Sequence, residues 1–278
     1  MHFGVALGAM HPGMFVEATE AADALGFESV WLPEHLVLPV TMAGSPYAGA
    51  AHPPVPPTTP IFDSLAYLCF LAGRTTRVRL GTHVYNLALR SPFVAARAVQ
   101  TLDVVSGGRA ELGVGAGWLA SEWRAAELDF ATRGRRLDEA LEVCRRLWTE
   151  PVVSHRGEFF EFDEVMFEPK PVQHPHPPVL VGGETQAALG RAARHDGWIG
   201  LSHDARSAAP LVEALRVRRA ALGFGEAPFT CTVGAAIAED ADIDALTGAG
   251  VDRVIVTPWT RTREVPEALG RFARRFIG

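Results

Sequence analysis

Lysine is almost missing from this chain: of 26 basic residues, all but Lys170 are arginine. A mechanism built on a lysine Schiff base, or on several lysines gripping a phosphate, therefore has almost no candidate. The arginines form no run or stripe that could track a phosphate backbone, and the formal net charge is −6, so nucleic acid is not an expected partner. Cysteine is scarce as well. Cys69, Cys144 and Cys231 are far apart, odd in number and set among apolar neighbours, which excludes a disulfide framework and a Cys-x-x-Cys metal site and suits a reducing cytoplasm. No stretch of about 18 apolar residues occurs, and the opening MHFGVALGAMHPGMF has no basic segment ahead of its short apolar stretch. Neither a membrane span nor export is expected.

What is present is an ordinary globular composition, 48% hydrophobic and 21% charged over 278 residues. That length suits one α/β barrel, a fold that runs to about 250 residues on a single core, so residues 1–278 are read as one domain. Short apolar or β-branched runs alternate with helical patterns, the mark of parallel strands joined by crossover helices. Eight such runs are expected to be strands: 3–8, 28–32, 78–85, 109–115, 179–181, 198–201, 229–238 and 253–257. Eight suits a closed (β/α)8 TIM barrel. The helices between them carry apolar residues at helical spacing, as in Leu65, Leu68, Cys69 and Ala72. Gly26 and Gly73 close the first two helices, and Ser91-Pro92 opens the third. Two insertions break the rhythm. Leu36 to Pro60, with seven prolines, follows the second strand and reads as a lid over the barrel mouth; Pro151 to Pro178, with a β-like piece around Glu158 to Phe162, precedes the fifth.

In such a barrel the chemistry gathers on the loops after the strands. Glu34-His35 follows the second strand and places a carboxylate and an imidazole side by side, with the histidine able to serve as acid, base or donor near neutral pH. Gly81-Thr82-His83-Val84-Tyr85-Asn86 ends the third. The run Gly113-Val114-Gly115-Ala116-Gly117-Trp118 ends the fourth; it lacks the spacing and the later acidic residue of a dinucleotide fingerprint, and supplies a strand end without side chains against which a planar ring could lie. Gly182-Gly183-Glu184-Thr185 ends the fifth and turns straight into a helix, which suits a phosphate. Each run also fits plain packing at a barrel rim. A metal-dependent hydrolase reading would join His35, His83 and His203, but the first strand ends in Gly8-Ala9-Met10 without a His-x-His pair, and no metal site is expected.

Taken in order, these segments resemble the luciferase-like monooxygenase family, in particular its branch that uses the deazaflavin coenzyme F420. The similarity runs from Phe3-Gly4-Val5 to Gly250-Val251-Asp252-Arg253-Val254. It is carried most specifically by Leu80-Gly81-Thr82-His83-Val84, by Thr101 to Arg109 running into Leu112-Gly113-Val114-Gly115, by Arg133 to Glu139, and by Pro169-Lys170-Pro171-Val172-Gln173 followed by Pro177 to Gly183. The resemblance implies a flavin or deazaflavin ring in the mouth, with Thr82, His83, Val84, Gly115, Ala116, Gly117, Trp118, Gly182, Gly183 and Glu184 around it. It also implies a non-proline cis peptide at His83–Val84 behind the ring, His35 as acid or base oriented by Glu34, and a homodimer. Two positions depart from the related sugar-phosphate dehydrogenase. Trp118 stands where that enzyme has a proton-donating glutamate, and its phosphate-holding lysines have no counterparts, which points to an apolar or aromatic substrate under Trp31, Trp118 and the 36–60 loop. Reduced FMN with oxygen is the alternative cofactor; a non-catalytic flavin-binding protein and the hydrolase are the alternatives of other classes.

Overall fold

The computed structural model describes residues 1–46 and 54–278, so the middle of the expected lid, residues 47–53, lies outside the described residues. All eight expected strands are there, six of them shorter than expected, β7 one residue longer and β8 shifted by one: β1 (His2–Ala6), β2 (Ser29–Leu32), β3 (Arg79–Thr82), β4 (Ala110–Val114), β7 (Val179–Gly182), β8 (Gly197–Gly200), β9 (Thr230–Gly234) and β10 (Arg253–Val256). They pair in parallel and close on themselves in the order β1-β10-β9-β8-β7-β4-β3-β2. Between β4 and β7 stand β5 (Val153–Arg156) and β6 (Glu161–Val165), an antiparallel hairpin outside the barrel. The second insertion was thus legible as an interruption, and its content is a two-stranded flap.

The helices coat the barrel: α1 (Phe15–Leu25), α2 (Ser64–Ala72), α3 (Pro92–Ser106), α4 (Ala120–Ala125), α5 (Arg133–Thr149), α6 (Gln186–Ala192), α7 (Ala205–Ala221), α8 (Asp240–Gly248) and α9 (Val265–Phe276). Gly26 ends α1 in the left-handed region at φ 85°, as a helix-terminating glycine does, whereas Gly73 ends α2 with right-handed geometry. The one lysine has a structural post: Lys170 Nζ donates to the carbonyls of Leu147 (2.9 Å) and Glu150 (2.6 Å), satisfying orphan acceptors at the C-terminus of α5.

The barrel interior is filled and not hollow. Trp31 on β2 points inward at 1% exposure and packs with Leu180, Ile199 and Ile255. Its ring fits because the neighbouring strands carry glycine at its level: a Cβ at Gly81 would lie 2.4 Å from the indole, and one at Gly4 2.7 Å. Below it the N-terminal end of the barrel is closed by ions. Arg253 on β10 donates to Glu111 (2.8 Å) and Glu28 (2.7 Å), Arg79 also pairs with Glu111, and the Arg253 guanidinium lies 5.2 Å from the Trp31 ring centroid. The buried charges are mutually compensated, which is the condition for placing them there.

Candidate functional site

The strand C-termini converge on one mouth, and alternation along the chain decides what faces it. Glu34 and His35 are adjacent, so their side chains leave a strand end on opposite sides. Glu34 is turned into the body of the protein, where its carboxylate pairs with Arg90 and accepts from Asn86 N at 2.8 Å. Burial pushes its carboxyl up, partly offset by the Arg90 guanidinium. The expected orientation of His35 by Glu34 is therefore corrected: Glu34 braces the β2 loop against the β3 loop.

The partner of His35 is Glu122, on α4. Its carboxylate is fully buried; Oε2 lies 3.0 Å from His35 Nδ1, while Oε1 accepts from Leu36 N (2.6 Å) and more weakly from Val37 N (3.4 Å). Trp118 meets the imidazole edge-on at 5.8 Å. Nε2 of His35 has no hydrogen-bond partner among the described residues. Sequence reasoning missed Glu122, although a glutamate beside the apolar Trp123, four residues past the glycine run, is an available signal.

The glycine run serves a different neighbour from the one expected. A Cβ at Gly115 would lie 2.7 Å from Val84, one at Gly182 would lie 3.2 Å from it, and one at Gly117 would lie 2.8 Å from Trp123 Nε1. The bare strand ends thus receive the Val84 side chain and the Trp123 indole, and Val84 becomes a half-buried apolar platform between β4 and β7. The peptide bond leading into it, His83–Val84, is cis. Thr82 is fully buried and its hydroxyl donates to Gly113 O at 2.8 Å, so it stitches β3 to β4 beneath the platform. Ala116 is half-buried in the same loop.

On the far side, Gly183 adopts φ 107° and its carbonyl accepts from Trp198 Nε1 at 3.0 Å. Thr185 caps α6 by accepting from Ala188 N, and Glu184 lies 3.1 Å from His203 Nε2. The loop carrying His203 follows β8, four strands from β2 in either direction around the barrel, so His35 and His203 stand on opposite sides of the mouth. The three histidines weighed as metal ligands do not converge: among the described residues, no three His, Cys, Asp or Glu side chains lie where they could share a metal ion. Trp31, expected above the substrate, lies beneath the site in the core.

Several polar atoms in this region are buried without a partner among the described residues: His83 Nε2, His203 Nδ1, Trp123 Nε1 and Ser121 Oγ. Unpaired groups of this kind cost about 1–3 kcal/mol each unless a ligand or water meets them. An apolar platform ringed by unspent donors and acceptors fits a planar heterocycle with a polar edge, as a flavin or deazaflavin has. A ring of this kind would lie against Val84.

Burial pulls the His83 imidazole down to about 4, and His195, behind the barrel wall, also down to about 4. Unfolded, each would bind a proton below about 6.5. Stability from these groups is thus present above pH 6.5 and is lost as pH falls from about 6.5 towards 4. Thermal melts between pH 7.5 and 4.5 should show a falling Tm that flattens in a His83→Asn/His195→Asn variant; an unchanged slope would contradict the neutral assignment.

Comparison with known proteins agrees with this geometry. The sequence profile of the luciferase-like monooxygenase family matches residues 1–265. An uncharacterised protein of Mycobacterium tuberculosis is 32% identical over 186 residues, a stretch covering 66% of this chain and 64% of that protein, so the match spans just under two thirds of the relative's length. The F420-dependent glucose-6-phosphate dehydrogenase of Amycolatopsis mediterranei is 31% identical over 192 residues, 68% of this chain and 53% of that one. The FMNH(2)-dependent dimethylsulfone monooxygenase of Pseudomonas putida is 36% identical over 111 residues, 39% of this chain and 31% of that one. Among solved structures, an F420-dependent secondary alcohol dehydrogenase in complex with an F420-acetone adduct superposes with a TM-score of 0.79 over 99% of this chain and 98% of that one at 16% identity, a likeness of fold. No helix among the described residues is long and apolar enough to cross a membrane. With its closed barrel, its furnished mouth and a profile match over nearly its whole length, the chain belongs to the luciferase-like monooxygenase family of oxidoreductases.

Proposed function

We propose that this oxidoreductase transfers a hydride between coenzyme F420 and a small organic substrate, with His35 as the acid or base. The observation that carries the reading is the state of His35: one ring nitrogen is tied to the buried Glu122, and the other has no hydrogen-bond partner among the described residues. Bound on that platform, a deazaflavin supplies a two-electron hydride donor or acceptor. The chain's own contribution is to seat the ring on Val84 and to hold Nε2 of His35 where a substrate hydroxyl or carbonyl exchanges its proton. The Gly182-Gly183 turn with Glu184 would lie along the cofactor's tail. Trp118 beside His35 favours an apolar or aromatic substrate over a sugar phosphate, since no lysine stands at the mouth to hold a phosphate group.

One observation favours the second reading, an FMN-dependent monooxygenase. The arginine of α6, Arg191, is committed to Asp138 and the Gly134 carbonyl, so it adds no free charge beside the Gly182 turn for the longer, more anionic tail of F420. In favour of F420, its relative matches 68% of this chain and the FMNH(2)-dependent one 39%. Titration with F420 and, separately, with FMN, followed by tryptophan quenching, decides between them: F420 should bind at least about tenfold tighter, a difference of about 1.4 kcal/mol. Preference for FMN would move the enzyme to the oxygen-dependent branch, and binding of neither would overturn the site.

The finer assignments follow the same reading. The enzyme works in the cytoplasm on a small molecule, with Cys69, Cys144 and Cys231 as free thiols. It forms a homodimer through α2, whose nine residues carry no charge and which leaves Phe70 54% exposed. Sedimentation should give twice the mass of 29.9 kDa, and Phe70→Asp should return the monomer.

A further inference from the structure

We propose that Glu122 is the positioning residue of this active site, fixing His35 in one tautomer and tying it to the root of the loop that follows. The proposal deepens the reading of His35 as acid or base and rests on it. An ionised carboxylate only accepts hydrogen bonds. Oε1 of Glu122 accepts from two backbone N–H donors, Leu36 at 2.6 Å and Val37 at 3.4 Å, so the carboxylate meets its surroundings as an acceptor. Its other oxygen, 3.0 Å from His35 Nδ1, can be satisfied only if Nδ1 carries the hydrogen. Nε2 is then the nitrogen with the lone pair, and it is the one left unengaged. When Nε2 takes a proton, the resulting imidazolium already has its counter-charge in hydrogen-bond contact, and when it returns the proton the same contact restores the starting tautomer.

The ring has little freedom to do otherwise. Trp118 stands edge-on at 5.8 Å on one side, and the carboxylate is itself immobile, with Glu122 at 0% exposure in the first turn of α4. Because Oε1 also holds the amides of Leu36 and Val37, one side chain sets both the direction of the imidazole and the starting point of the proline-rich loop. Glu122 is the one carboxylate among the described residues that pairs with His35; Glu34 pairs with Arg90 instead.

An isosteric change separates this role from a purely structural one. In Glu122→Gln the amide oxygen is held by Leu36 N, which leaves the NH2 group facing Nδ1. The imidazole must then accept at Nδ1 and carry its hydrogen on Nε2, the reverse of the native arrangement. Imidazole 15N spectra of the full-length protein should show the His35 hydrogen on Nδ1 in the native enzyme and on Nε2 in Glu122→Gln. Turnover should fall by roughly 10²–10⁴, the scale of a wrong-tautomer defect, while cofactor affinity stays within about threefold. Glu122→Asp, which keeps the charge, should recover part of the loss.

A native His35 protonated on Nε2, or a Glu122→Gln enzyme that keeps its tautomer or its turnover, would overturn the assignment. The native spectrum decides this even if the glutamine variant does not fold. The expected tautomer in a protein that binds neither F420 nor FMN would leave Glu122 its role and overturn the functional reading instead.

Discussion

Replacing His35 with alanine is expected to lower turnover by about 10²–10⁴ while leaving cofactor affinity nearly unchanged, the range for losing one general acid or base. The separation of the two effects follows from where the residue stands. Its Nδ1 is spent on Glu122, its Nε2 is unengaged, and the apolar platform that would seat the cofactor is built by Val84 against Gly115 and Gly182, residues His35 does not support. The removed ring leaves a gap at the mouth, so added imidazole should restore part of the rate. Steady-state rates with and without imidazole, set beside tryptophan-quenching titrations, test both. Equal losses in binding and turnover would make His35 a cofactor contact, and full activity would remove it from the mechanism.

Gly81→Ala is expected to be among the most damaging single substitutions in the molecule, although it adds one methyl group far from the reacting atoms. The new Cβ would lie 2.4 Å from two carbons of the Trp31 indole, a ring 1% exposed and enclosed by Leu180, Ile199 and Ile255. Overpacking of this kind costs about 1–3 kcal/mol, a large share of a total stability of about 5–15 kcal/mol. Trp31→Leu alone should also destabilise, by opening a cavity. The informative variant is the double one. If glycine is required at position 81 because of the indole, Gly81→Ala should cost much less in a Trp31→Leu background, with a coupling of about 0.5–3 kcal/mol in urea unfolding. Additive costs would show that Gly81 is required for some other reason.

The two predictions mark where the sequence was readable. The eight strands were visible because parallel barrel strands are buried on both faces and read as unbroken apolar runs. That same feature hid Trp31: with both faces apolar, alternation does not distinguish the barrel interior from the helix layer. The usable signal lay in the neighbouring strands, where Gly4 and Gly81 stand beside Ser29 and Trp31 in the paired register. Glu34-His35 was legible as a mouth motif and misread as a pair, since adjacency in sequence separates side chains at a strand end. Glu122 could not be tied to His35 from the sequence, because the contact spans 87 positions and depends on how the β4 loop folds back. The glycines of that loop signalled a close approach. They did not signal what approaches, which is Val84 and Trp123.

The filled barrel also settles how molecules come and go. Among the described residues, the Trp31 layer and the Arg253–Glu111–Glu28 ion cluster lie across the barrel axis and block passage through its N-terminal end. A ring seated on Val84 lies deeper than any substrate placed above it. On the proposed reading, the first to enter would be the last to leave, and product-inhibition patterns should show an order in which product departs before the cofactor.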